Sequence, residues 1–143
     1  MARRIIALMG DPIITEEEKA IESLTPGHLL ELTSGGWKKQ TDDAANVAPI
    51  FALERDELGS GIDIAYASGD YVKAGHFAPG QRVYAFLASG QTVAKGAYLT
   101  GTTAGLLTAA SVAAGVRTAM ALEAVDTSGS APAAGTRIRV EIV

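Results

Sequence analysis

The chain has 143 residues, no cysteine and a net charge of −4. That length fits one domain with a sizeable core, with at most a mobile arm. The missing cysteine excludes disulfides, thiolate metal sites and a cysteine nucleophile, and the acidic balance, with a pI near 5.1, argues against a nucleic-acid-binding face.

The N-terminus, "RRIIALMG", begins as a secretory leader does, with paired arginines Arg3 and Arg4 and then apolar residues. Its apolar run, Ile5 to Met9, falls short of the roughly 7–15 residues that such a leader needs. No run reaches the ~18 residues of a membrane span. A soluble, intracellular protein is therefore expected. Ile5 to Met9 reads as a short strand broken by Gly10-Asp11-Pro12. Thr15-Glu16-Glu17-Glu18 fits a capping box with Thr15 as N-cap, opening a short helix to about Leu24. The competing reading of the same residues is an extended charged arm. Thr25-Pro26-Gly27 is a stop and turn.

From residue 28 the pattern is β. "HLLEL" (28–32), "GWKKQ" after a Gly-rich turn and "IFALE" (50–54) read as strands, and "DELGSG" (56–61) reads as a turn. "IDIAYA" (62–67) alternates, with Ile62, Ile64 and Tyr66 on one face, the signature of a half-buried strand. "QRVYAFLA" (81–88) is apolar on both faces and reads as a central strand. "LLTAA" (106–110) follows a loop. "VRTAMALEAV" (116–125) has helix-forming residues in a glycine-flanked β context and is assigned as strand. "DTSGSAPAAG" (126–135) is a polar loop. The last segment, "TRIRVEIV" (136–143), places Ile138, Val140 and Ile142 inward and Arg137, Arg139 and Glu141 outward. Short strands with turns every 8–12 residues or so predict a mainly β fold. The expected form is a small antiparallel barrel or sandwich with Gly-rich turns, an N-terminal arm and at most one or two short helices. Residues 1–24 would form the arm, or a first strand plus short helix; residues 25–143 would form the β domain.

One turn is used twice. "SGDYVKAGHF" (68–77) and "SGQTVAKGAYL" (89–99) share Ser-Gly-[Asp/Gln]-x-Val-x-x-Gly, and "APGQRV" (78–83) is a third variant. Gly69 and Gly90 permit a positive φ. Asp70 and Gln91 are expected to hydrogen-bond local backbone, and Val72 and Val93 to point inward. Gly75 and Gly96 are expected to supply a second unusual φ. The pattern resembles the half-motif of biotinyl and lipoyl carrier domains. However, Lys73 and Lys95 lie inside the turns and lack the hairpin-tip setting of a carrier lysine. Nor is it a phosphate loop, because Lys95 precedes Gly96.

Catalytic constellations are not evident. His28 and His76, the only histidines, read as loop residues. A metal site needs three or four convergent ligands, and no such spacing appears. Asp42-Asp43 and Glu54, Asp56 and Glu57 read as solvated loop acids. Ser60 lacks the spacing of a nucleophile elbow. Trp37 reads as a core or interface anchor. No catalytic, cofactor-binding or metal-binding residue is assigned, and no cofactor is expected.

Three segments together resemble the decoration (cement) proteins of tailed-phage capsids. They are "SLTPGHLLEL" (23–32), "PIFALERDELGSGIDIAYASGDYV" (49–72), and "GQRVYAFLASGQTVAKGAYL" (80–99) with residues 121–143. Order and spacing carry the resemblance over roughly residues 20 to 143. Arg55, where an acid is expected, and the Glu16–Lys19 cluster depart from it. The resemblance implies a non-enzymatic β domain made in the host cytoplasm. It would sit on the outer capsid surface of the virion, as a homotrimer or dimer, and clamp neighbouring major capsid proteins. Neither nucleic acid nor membrane would be a partner. The apolar N-terminal residues Ile5, Ile6, Leu8, Ile13 and Ile14, with Arg3 and Arg4, are the expected capsid contact, unless they form the barrel's first strand. The Ala-rich stretch 108–116 is the expected self-association surface. A virion-surface domain that binds glycans or the host is the alternative in another class, disfavoured by the shortage of aromatic residues. A carrier domain is the other.

Overall fold

The computed structural model describes residues 5–41, 48–110, 116–129 and 132–143. In chain order the strands are β1 (Ala7–Met9), β2 (Ile14–Lys19), β3 (Leu30–Thr33), β4 (Gly36–Lys39), β5 (Ile50–Ala52), β6 (Tyr71–His76) and β7 (Arg82–Leu87). They continue with β8 (Thr92–Val93), β9 (Tyr98–Gly101), β10 (Leu107–Ala109), β11 (Ala119–Ala121), β12 (Val125–Asp126) and β13 (Thr136–Ile142). Only two single 3-10 turns, Asp56–Leu58 and Thr103–Gly105, interrupt the β structure among the described residues.

Five strands close a barrel in the order β7, β10, β9, β11, β13 and back to β7, and β1 is an extra strand on β7. The fold is mainly β, as the turn spacing predicts. The barrel is not purely antiparallel, since β10 meets β7 in parallel at Leu107 and Leu87. The cause is arithmetic: an odd number of alternating strands cannot close without one parallel pair.

The strand β7 is the hub. It runs antiparallel to β13 from Arg82–Glu141 to Leu87–Thr136 and to β1 at Val83–Ala7. Val83, Ala85 and Leu87 point into the barrel and meet Ile138, Val140 and Ile142 of β13, all buried. The alternation read from 136–143 is present in β13, and β7, read as apolar on both faces, is buried on its inner face and at Phe86 on its outer one. Phe86, on the outer face of β7, is covered in turn by His28 and by the Arg137 guanidinium, whose centre lies 4.5 Å from the ring. The barrel core is filled by aliphatic side chains together with Phe51 and Phe77. A second, smaller core holds Leu24, Leu30, Trp37, Tyr66, Val72 and Ala74. It lies beside the sheet β2–β6–β5 and the hairpin β3–β4.

Two local expectations fail. Residues 15–24 do not form a helix. Ile14 to Lys19 pair along their whole length with His76 to Tyr71. A helix of that length is marginal alone, and the sequence offers it few apolar residues to bury. Six residues of ladder against β6 therefore prevail over local propensity, and the extended reading is correct. Ile62 to Ala67 is not a strand either. Tyr66 alone bridges to Leu24, and Ile64 is exposed. The segment is pinned at points instead. The Tyr66 hydroxyl donates to the Leu53 carbonyl at 2.6 Å, and Arg137 donates to the Ile62 carbonyl and pairs with Asp63.

Candidate functional site

The repeated turn has one physical design. At 25–28, 67–70 and 78–81 the fourth residue's N–H donates to the first residue's carbonyl, at 3.0–3.1 Å. The third residue is a glycine at positive φ: Gly27, Gly69 and Gly80. This is the geometry a type II turn demands. The fourth residue's side chain then accepts the first residue's N–H. The acceptor is Nδ1 of His28 for Thr25 at 3.0 Å, Oδ2 of Asp70 for Ala67 at 2.9 Å, and Oε1 of Gln81 for Ala78 at 2.9 Å. Asp70 thus does what the sequence assigns to it, and His28 joins the same class. Gln91 does not. Its N–H donates to the Thr127 hydroxyl, which in turn reaches the Ala88 carbonyl, and its own Oε1 accepts from Ala109 on β10. Gly90 and Gly96 take positive φ as expected, and Val72 and Val93 are buried. Gly75 is a correction. It lies inside β6 at ordinary φ, where a Cβ would press Leu53 and Pro12 at 3.0 Å. Close packing, not conformation, favours glycine there.

The N-terminal segment divides between core and surface. Ile6 is fully buried in the barrel core, while Ile5, Met9, Ile13 and Ile14 are each at least half exposed. Leu8 is half-buried, and Arg3 and Arg4 lie outside the described residues. The Ile6 N–H donates to Glu54 Oε2 at 3.2 Å, so β1 is stitched to the chain beyond β5 as well as to β7. Residues 6–9 belong to the barrel, as the first-strand reading has it, and the isoleucines on either side of them are exposed. Next to them, β2 is an edge strand with all six residues exposed.

Ile5, Ala7, Pro12 and Leu53 wall a cleft of about 330 Å³ whose polar side carries Glu54, Asp56 and Lys73. Lys73 Nζ lies 3.0 Å from Asp56 and 3.8 Å from Glu57. The hydrogen bond from Lys73 holds the Asp56 carboxyl below its ordinary range, and the same bond raises the lysine. Lys73 offsets part of the charge of these surface acids, and among the described residues no three His, Asp or Glu side chains converge as metal ligands do. Asp42 and Asp43 lie outside the described residues. Ser60 is in the turn that follows Asp56–Leu58.

Burial, with help from Lys39 and Arg137, pushes His28 down to about 4, so at neutral pH it is an uncharged turn acceptor. His76 sits edge-on to Trp37, with ring centres 6.4 Å apart, and Trp37 is a core anchor.

A feature that sequence reading missed is a second cleft, of about 300 Å³, on the outer wall of the barrel. Arg82, Lys95 and Arg139 line it, over Leu8, Met9 and Leu122. Its residues come from β1, β7, the 94–97 turn, the segment after β11, and β13. Only the outward assignment of Arg139 is visible from the alternation of the last strand.

No family model matches the chain, and no curated protein matches it.

Proposed function

We propose that the protein is a decoration protein of a tailed-phage capsid, binding the outside of the shell and clamping neighbouring major capsid proteins against the pressure of packaged DNA. The observation that supports this most is the placement of exposed apolar side chains. Ile5, Ile13 and Ile14 stand out on the N-terminal edge, anchored on either side by strands that the fold holds firmly. Burying one such side chain contributes about 1 kcal/mol when it starts half exposed. One copy then binds weakly, while an array on one shell stabilises it strongly. Self-association as a trimer or dimer, and placement on the virion surface, belong to the same proposal.

Deleting residues 2–14 would not test this cleanly, because Ile6 is core. Ile5→Ser combined with Ile13→Ser leaves Ile6 in place. Purified protein is mixed with expanded shells of the major capsid protein and imaged. The variant is expected to leave the shells bare at concentrations where the wild type fills them, with an unchanged thermal unfolding midpoint. Wild-type occupancy by the variant would overturn the assigned surface, and absence of wild-type protein from the shells would overturn the function.

A further inference from the structure

The barrel-wall cleft and the edge strand β2 are complementary surfaces of the same molecule. In the cleft, Arg82 is paired with Glu141 at 3.3 Å and Arg139 with Glu123 at 2.9 Å. Lys95, exposed on its turn, makes no ion pair among the described residues. The cleft therefore keeps an unspent positive charge above an apolar floor of Leu8, Met9 and Leu122. β2 has the opposite character. Glu16 and Glu18 project from one face of this exposed edge strand and Glu17 from the other, and Glu17 and Glu18 make no ion pair among the described residues. Glu16 has only His76, at 3.4 Å. An edge strand presents unpaired backbone and is ordinarily blunted by charge. Three carboxylates of one sign prevent β2 of one copy from pairing with β2 of another, so a contact between like edges is disfavoured. They leave a contact between unlike patches.

We propose that a second copy of this chain docks the face of its β2 strand that carries Glu16 and Glu18 into the cationic cleft, with Glu18 of one copy facing Lys95 of the next. The contact joins two different patches, so it builds a closed assembly when its rotation closes. It gives the proposed self-association a surface, and rests on that part of the reading without needing the shell. Glu18 lies about 17 Å along the chain from Ile13 at strand rise, which leaves Ile5 and Ile13 to other partners. Charge-assisted contacts of this kind are screened over a Debye length of about 10 Å at 0.1 M salt, so assembly should weaken as salt rises.

The test is a charge exchange in the full chain, read by sedimentation equilibrium at low salt. Both residues are exposed, and circular dichroism with thermal unfolding checks that each variant is folded. Wild type is expected to sediment as an assembly. Lys95→Glu alone and Glu18→Lys alone, each placing like charges across the contact, should fall toward the single-chain mass of 14.7 kDa. The double variant should recover the assembly. Wild type at single-chain mass, single variants at wild-type mass, or a double variant that stays dissociated would each overturn the proposal.

Discussion

At Thr25–His28 an imidazole nitrogen accepts the hydrogen bond that a carboxylate oxygen accepts at Ala67–Asp70. The two acceptors differ in how they respond to acid. His28 must be neutral to accept through Nδ1, and burial together with nearby Lys39 and Arg137 lowers it from 6.5 to about 4. A depressed histidine binds its proton more readily in the unfolded chain than in the folded one. Its neutral form therefore favours the native state above pH 6.5, and that contribution is lost as pH falls from 6.5 toward 4, then changes no further. The full span corresponds to about 3 kcal/mol. Carboxylates held low by partners, such as Glu31 beside Lys38, act at more acidic pH. His28→Gln supplies an uncharged acceptor, as Gln81 does in its own turn. Denaturant titrations between pH 7 and 4.5 should show stability falling in the wild type and a flatter profile in the variant. An equally steep fall in His28→Gln would place the acid sensitivity elsewhere.

At the scale of elements, glycines of the same composition have different jobs, and substitution separates them. A Cβ at Gly69 would meet nothing within 4 Å, so alanine there strains only φ. At Gly36 a Cβ would overlap the Lys19 carbonyl, where the β3–β4 hairpin closes against β2 through the Ala20–Trp37 bridge. Gly69→Ala should cost about 1–2 kcal/mol, and Gly36→Ala more than about 3 kcal/mol, measured by chemical denaturation. Comparable losses would mean that the hairpin shifts to make room.

The same elements show what the sequence makes legible. The strand β13 is readable because it buries one alternating face, and β7 because its apolar residues fall on both faces, with Phe86 covered on the outside; the turn at Gly69-Asp70 is readable because Gly-Asp specifies local geometry. The strand β2 is not, since Thr-Glu-Glu-Glu is locally a helix start and only its long-range partner, β6, decides otherwise. Ile62–Ala67 misleads in the reverse sense, because its alternation is real but Arg137 and Tyr66 hold it as a loop. The exposed isoleucines could be named from the sequence, whereas the separation of Ile6 from them could not. The cationic cleft was invisible because its residues converge only when the barrel closes.

For the whole molecule, closure is the central fact. β1 and β13 both lie on β7, so the first and last strands of the described residues meet at one hub. Pairings this distant in sequence make the barrel a cooperative unit, because no local segment buries its own apolar face. β1 is short, and as an extra strand outside the five-strand ring it looks dispensable. Its energetics argue otherwise. Ile6 is fully buried among the barrel residues, and emptying a buried isoleucine site typically costs about 2–5 kcal/mol. Removal of β1 also strips β7 of the pairing at Val83 and the Tyr84–Ile6 hydrogen bond of 2.8 Å. Against a total stability of about 5–15 kcal/mol, the combined loss should be severe. Deletion of residues 2–9 is therefore expected to lower the unfolding midpoint far more than Ile6→Ala alone, and to expose core surface to a hydrophobic dye. The double variant Ile5→Ser and Ile13→Ser should do neither. A truncated chain that melts with the wild type would show that β1 is a detachable arm. The free edge of β7 would then become the place where a shell protein's own strand could bind.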